Sequence, residues 1–362
     1  MDLQRQRLDR ITASLLGGAV GDALGYAVEF QRLREIRRRF GPDGITDFVL
    51  QDGKAIISDD TQMTIFTASS LLAGETARQM QGQTGAPIRW IYRAYLEWYA
   101  TQRQDVTVER PMTWLYNLPA LHARRAPGNT CLAALGSGQA GTRWHPINHS
   151  KGCGGVMRVA PVAFVFTPEA NLFQVMNLGA DAAALTHGHP LGWLPAAALA
   201  GMIFQLIHQP GAELPAVVED ILTQMETWYA DILDLEDFLA LSRKAISLAG
   251  SSLPDDDAIR QLGEGWVAEE TLAIALYAVL RYSGDFRKAM ICAVNHDGDS
   301  DSTGAVAGNL LGALVGTKAV EAAFDLERLE LAGVLRILAA DLSRCPLTRQ
   351  PDAAWLQKYG GI

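Results

Sequence analysis

The sequence predicts an all-α fold in one domain. Two observations carry this. Apolar residues recur at helical spacing in segment after segment of the 362 residues. Long Val/Ile/Thr alternation, the mark of strands, is nearly absent, and no repeat period or low-complexity linker breaks the chain, so residues 1–362 read as one unit.

The elements follow in order. Leu3 to Gly25 reads as one helix, with a Gly- and Ala-packed second half that permits close approach of a neighbour or ligand. Gln31 to Phe40 is a short basic helix with a solvated face. Gly41 to Lys54 is turn-rich and can hold a small hairpin. Helices are then expected over Thr61 to Ala73, Pro87 to Thr101, Pro111 to Arg125 and Thr130 to Ser137. Gly152 to Arg158 reads as a Gly-rich loop opening a helix that runs to Ala160 and Pro161. Further helices fall over Ala170 to Leu185, Leu191 to His208, Ala216 to Ala230, Leu235 to Ala249, Glu269 to Ser283, Phe286 to Asn295, Thr303 to Val315 and Leu326 to Ser343.

Composition bounds the function. The chain is 49% hydrophobic with a net charge of −9. That gives ample material for a deep core and argues against a nucleic-acid backbone as partner. The charged start, Met1 to Arg10, lacks the apolar stretch of a signal peptide, and no uninterrupted apolar run reaches membrane-spanning length. Cys131, Cys153, Cys292 and Cys345 show no paired spacing, which points to reduced thiols and a cytoplasmic setting.

Two acidic stretches carry the chemistry. Asp297, Asp299 and Asp301 alternate with Gly298 and Ser300 just before a small-residue helix. Ser58-Asp59-Asp60-Thr61 precedes another helix. Each stretch alone suits a helix cap. Together they bring enough carboxylate and hydroxyl oxygens for a pair of hard divalent cations, because crowded acids repel unless neutralised. His187 and His189 lack a third nitrogen ligand, and Cys153 with His149 lacks an orienting partner for a nucleophilic pair.

These pieces occur in an order that resembles the ADP-ribosylglycohydrolase family, of the dinitrogenase reductase-activating type. The matching residues are Gly17 to Gly25 with Glu29, Ser58 to Thr61, Gly152 to Arg158, Thr186-His187, and Asp297 to Ser302, spanning about Leu15 to Gly316. The resemblance implies an orthogonal helical bundle with its metal site at loop-to-helix junctions. It implies hydrolysis of the bond from ADP-ribose to a modified protein side chain, arginine by first choice, with serine-linked and small ADP-ribosyl substrates as rivals. Two Mg²⁺, alternatively Mn²⁺, would be held by Ser58, Asp59, Asp60, Asp299, Asp301 and Ser302, with Asp60 and Asp301 central to catalysis. Glu29 would position or deprotonate a ribose hydroxyl or water. Gly154, Gly155, Met157 and Arg158 would line the diphosphate path, and His187 would pack beside the bound ligand. Cys153 stands where the family commonly has Asn. The implied partners are an ADP-ribosylated protein and a cognate ADP-ribosyltransferase, with the enzyme a monomer; protection against an ADP-ribosylating toxin is one role such an enzyme would serve. Two other classes remain open: a two-metal phosphohydrolase on a nucleotide, and a non-catalytic ADP-ribose-binding or inhibitory protein.

Overall fold

The computed structural model describes residues 3–82, 85–103, 105–209 and 211–361, so Met1 and Asp2 of the N-terminal reading lie outside the described residues. Helices dominate: α1 (Leu3–Tyr26), α2 (Leu33–Phe40), α3 (Asp59–Gln81), α4 (Pro87–Thr101), α5 (Asn129–Gly136), α6 (Leu172–Ala184), α7 (Pro190–His208) and α8 (Leu214–Trp228). They continue as α9 (Leu235–Ala249), α10 (Asp255–Arg260), α11 (Ala268–Arg281), α12 (Phe286–Val294), α13 (Ser300–Val315), α14 (Thr317–Ala323), α15 (Ala332–Leu342) and α16 (Ala353–Tyr359). The all-α expectation holds.

The sheet is one hairpin, β1 (Leu50–Gln51) against β2 (Lys54–Ala55). Its turn places Asp52 and Gly53 at φ 49° and 79°, the pair of left-handed residues that a tight hairpin requires.

Packing is set by α1 and α13, which run antiparallel with backbones in contact. Glycines make this possible. A Cβ on Gly21 would stand 1.9 Å from the Gly304 carbonyl oxygen, and one on Gly308 would stand 2.0 Å from the Gly17 oxygen. Side chains then lock the register: Ser14 Oγ donates to the Asn309 carbonyl (2.9 Å), and Asn309 Nδ2 donates to the Ser14 carbonyl (2.8 Å). The small-residue half of α1 therefore admits a neighbour, not a ligand. Its far end abuts the start of α13, since a Cβ on Gly25 would meet the Ser300 oxygen at 2.1 Å.

α7 is long and apolar enough to cross a membrane, but its most apolar window is 94% buried among the other helices, as a core helix is.

Several sequence expectations are corrected. Pro111 to Arg125 is not one helix: it forms two 3₁₀ turns, Trp114–Asn117 and Pro119–His122, because Pro119 lacks the N–H that a continuous helix needs. The glycine loop yields only a 3₁₀ turn, Cys153–Gly155, with a second at Ala160–Val165. α15 starts at Ala332, because Leu331 sits at φ 58° and cannot be helical. The short helices α10, α14 and α16 lay below what periodicity resolves. α3 and α13 start earlier than their spacing suggested, so Asp59, Asp60 and Asp301 lie inside first helical turns.

Candidate active site

Two helix starts face each other across a cleft of about 520 Å³. Asp59 and Asp60 come from α3, Asp299 and Asp301 from the start of α13, and Glu29 from the turn after α1. Free N–H groups and the positive end of the dipole favour carboxylates at such helix starts.

The α3 start is fixed from outside. Asp22, buried in α1, accepts hydrogen bonds from Ser58 N (2.9 Å), Thr61 N (3.1 Å) and Thr61 Oγ1. Ser58 Oγ accepts from Asp60 N (3.2 Å), and Asp59 Oδ2 accepts from Gly128 N (3.1 Å). Asp60 Oδ2 is left without a hydrogen-bond partner among the described residues. The same holds for Glu29 Oε2.

The α13 start is capped by its own residues and tied outward through Asp299 N. Ser302 N donates to Asp299 Oδ1 (3.2 Å) and to Asp301 Oδ1 (3.0 Å). The bend before it needs Gly298, at φ 124°, where a Cβ would stand 2.0 Å from the Glu264 carbonyl oxygen. That carbonyl accepts Asp299 N at 2.8 Å.

Asp297 leaves the cluster. Its Oδ1 accepts from Leu33 N (2.7 Å) at the start of α2. So the alternating aspartates do not all aim at one point.

Burial and crowding dominate the electrostatics. Burial first, then the charge of Asp301, push Asp22 up to about 7 against the pull of its Thr61 and Ser58 hydrogen bonds. Burial, then Asp301, Asp299, Asp59 and Asp22, push Glu29 up to about 10. Asp59, Asp60 and Asp299 are raised well above the usual carboxylate range, by burial first and Asp301 next. The cluster thus favours any positive charge that enters.

The opposite wall is the glycine turn. Gly152, Cys153, Gly154, Met157 and His187 line the cleft. The turn is tied to the chain before α11: Ala268 N donates to the Lys151 carbonyl (2.9 Å), and Cys153 N to the Trp266 carbonyl (3.3 Å). Burial, then Asp299 and Asp60, raise the Cys153 thiol well above its ordinary value, away from the thiolate that a nucleophile needs. Burial and the neighbouring Arg158 lower His187 to about 3, leaving a neutral imidazole whose Nδ1 lies 2.9 Å from Thr186 Oγ1.

Arg158 does not line the cleft. It is fully buried beneath it, with its guanidinium 4.1 Å from the Tyr95 ring centroid and Nη2 donating to Thr186 Oγ1 (2.6 Å) and the Ala182 carbonyl (3.2 Å). It positions Thr186, and through it His187. Gly155 and Ser58 also sit behind the lining; a Cβ on Gly155 would press on Ala183 and Gly192 at 2.9 Å.

Four contributors were missed. Asp22 was visible as a lone charge in a Gly/Ala run but was given no role. Phe30, at φ 65°, stacks on Trp266 with centroids 5.4 Å apart, and both line the cleft. Among the described residues, Arg124 is the one Arg or Lys on the lining, in a segment read as helix.

The family described as ADP-ribosylglycohydrolase matches residues 3–351. The chain belongs to the ADP-ribosylglycohydrolase family. Relatives agree in kind. The ADP-ribosyl-[dinitrogen reductase] glycohydrolase of Rhodospirillum rubrum is 26% identical over 314 residues, 85% of this chain and 86% of that one. ADP-ribosylhydrolase ARH3 of Gallus gallus is 25% identical over 197 residues, 49% of this chain and 53% of its own length, so the match spans about half of that relative. A solved structure of an "ADP-ribosylglycohydrolase-related protein complex" shares 26% identity at TM-score 0.60, covering 95% of this chain and 100% of that one.

The donor set fits a hard divalent cation by chemistry: buried carboxylate oxygens, two of them without partners, beside hydroxyls. Among the described residues no three His, Cys, Asp or Glu side chains stand at the spacing of a formed metal shell. The fit therefore rests on the donors and their unneutralised charge, not on a preformed cage.

Proposed function

We propose that this glycohydrolase cleaves the N-glycosidic bond between ADP-ribose and an arginine side chain of a modified protein. The observation that carries the reading is the buried acid cluster with the unpartnered Asp60 Oδ2 and Glu29 Oε2. The Rhodospirillum relative, named for an ADP-ribosyl-modified protein, supports a protein-borne substrate.

Asp59, Asp60, Asp299 and Asp301 would hold two Mg²⁺ or Mn²⁺, with the Ser302 hydroxyl and the second lone pair of Ser58 Oγ as neutral donors. When bound, such ions orient ribose hydroxyls and offset charge as the glycosidic bond breaks. Glu29 orients a ribose hydroxyl or the attacking water through its unpartnered oxygen. The Gly154 end of the glycine turn, which lines the cleft, offers backbone N–H to the diphosphate. Met157 and neutral His187 exclude water along that wall, with Arg158 holding His187 from below.

Mass analysis of what is released from an arginine-ADP-ribosylated protein tests the reading. Intact ADP-ribose is expected. AMP or inorganic phosphate would instead mark a phosphohydrolase. Asp60→Ala and Asp301→Ala should each lower the rate by at least about 10²-fold, in the range seen when one charge-stabilising group is removed. Their helical circular dichroism should be retained.

A further inference from the structure

The acid cleft has a larger, open neighbour. A groove of about 1360 Å³ runs beside it, and the two share Arg124 and Asn129. It lies between the end of α4, the two 3₁₀ turns and the outer face of α5. Its walls include Tyr99, Val106, Thr107, Tyr116 and His122. The cleft alone has the volume of an ordinary small-molecule site. The groove is more than twice as large, open, and shares two wall residues with it.

Its charge is one-sided. Among the described residues no Asp or Glu lines it, in a chain of net charge −9. Arg103 is forked onto Asp105 (2.7 and 2.5 Å), and Arg125 pairs with Glu330 (3.5 Å). Arg124 has neither an ion pair nor a side-chain hydrogen bond among the described residues. It stands where groove and cleft meet.

We propose that this groove docks the polypeptide segment flanking the modified residue of the substrate, and that it selects acidic sequence there. The proposal rests on the reading that the chain acts on protein-borne ADP-ribose. A segment crossing Arg124 places its modified side chain at the cleft while the groove holds the neighbouring residues. The tyrosine hydroxyls and backbone carbonyls of the turns give such a segment hydrogen-bond partners, and Arg124 gives its carboxylates a counter-charge. A nucleic acid is the poorer occupant, because one unpaired cation does not match a run of phosphates.

The test uses two peptides of equal length carrying ADP-ribosylated arginine, one flanked by glutamates and one by lysines, plus ADP-ribosylated free arginine. The wild type should show a KM about tenfold lower for the glutamate peptide, with the gap shrinking as salt rises. The double variant V106E/T107E changes exposed groove positions outside the cleft. It should erase the gap and leave kcat/KM on free ADP-ribosylarginine unchanged, which also reports correct folding. Equal KM values in the wild type, or equal losses on peptide and free arginine in the variant, would overturn the docking role.

A binding arm does not depend on hydrolysis. Fluorescence anisotropy with the unmodified glutamate and lysine peptides, and with single-stranded RNA of equal length, should favour the glutamate peptide in the wild type and show no preference in V106E/T107E. That result with no turnover of any substrate would keep the groove and overturn the proposed reaction. Preference for RNA or for the lysine peptide would overturn the groove assignment.

Discussion

The two acidic helix starts look alike in sequence and are built differently. At α13, Asp299 and Asp301 take their hydrogen bonds from Ser302, a residue of the same turn. At α3, the bonds that fix Ser58 and Thr61 come from Asp22, 36 and 39 residues away on α1. At α13 the carboxylates are held by a local N–H; at α3 a carboxylate from another helix holds the backbone. The difference separates acids that hold structure from acids left free for chemistry. Asp22 has its oxygens filled by protein donors, whereas Asp60 keeps one oxygen bare.

Removing the contact that lets α1 reach both starts is the strongest way to break this comparison. Gly304→Val should destabilise by more than about 3 kcal/mol, beyond the usual cost of overpacking, because the clash is with the Gly21 backbone oxygen (2.4 Å from a Cβ) and no side chain can give way. Chemical denaturation checks it. A stable, active Gly304→Val protein would show that α1 and α13 can part without moving the site.

The acids themselves sharpen it. Asp22→Ala should cost about 2 kcal/mol, since it strands buried N–H groups at Ser58 and Thr61. Asp60→Ala, measured in chelator, should cost nothing or stabilise, because it removes a buried, repelled and partly unpaired carboxylate. Equal losses in the two unfolding curves would mean that both acids are structural.

A buried acid on α4, outside the cluster, tests the same point through pH. Glu97 accepts from Met112 N (2.7 Å), keeps Oε2 unpartnered, and is pushed up to about 7 by burial. Its folded value lies above the unfolded one, so its stabilising share is present below about pH 4.5 and is lost as pH rises through about 7. Glu97→Gln should therefore gain stability relative to wild type between pH 5 and pH 8, by about 2.5 kcal/mol at most. Melting curves across that range read it, and a constant difference would refute it.

Most of the fold was legible. Long helices announce themselves by apolar period, and Asp52-Gly53 announced the hairpin. Legibility failed where the signal is short or where proline decides, as at α10 and at Pro119. The site was legible in its residue types and less so in their aim. Asp297, Asp299 and Asp301 share a spacing, yet Asp297 turns 264 residues back along the chain to cap α2. Arg158 sits in the right motif and points under the cleft, because Tyr95 and Thr186 claim its guanidinium.

The sequence by itself determined the helices, the acids at two helix starts, and the glycines that allow α1 and α13 to touch. Those are local matters of period, capping and side-chain size. Only the tertiary structure decided which acid is scaffold and which is bare, and it replaced Arg158 with Arg124 on the cleft wall. It also opened a groove beside the site. The physical reason is that residue spacing fixes where a side chain leaves its own helix, while its partners come from packing between segments far apart in the chain.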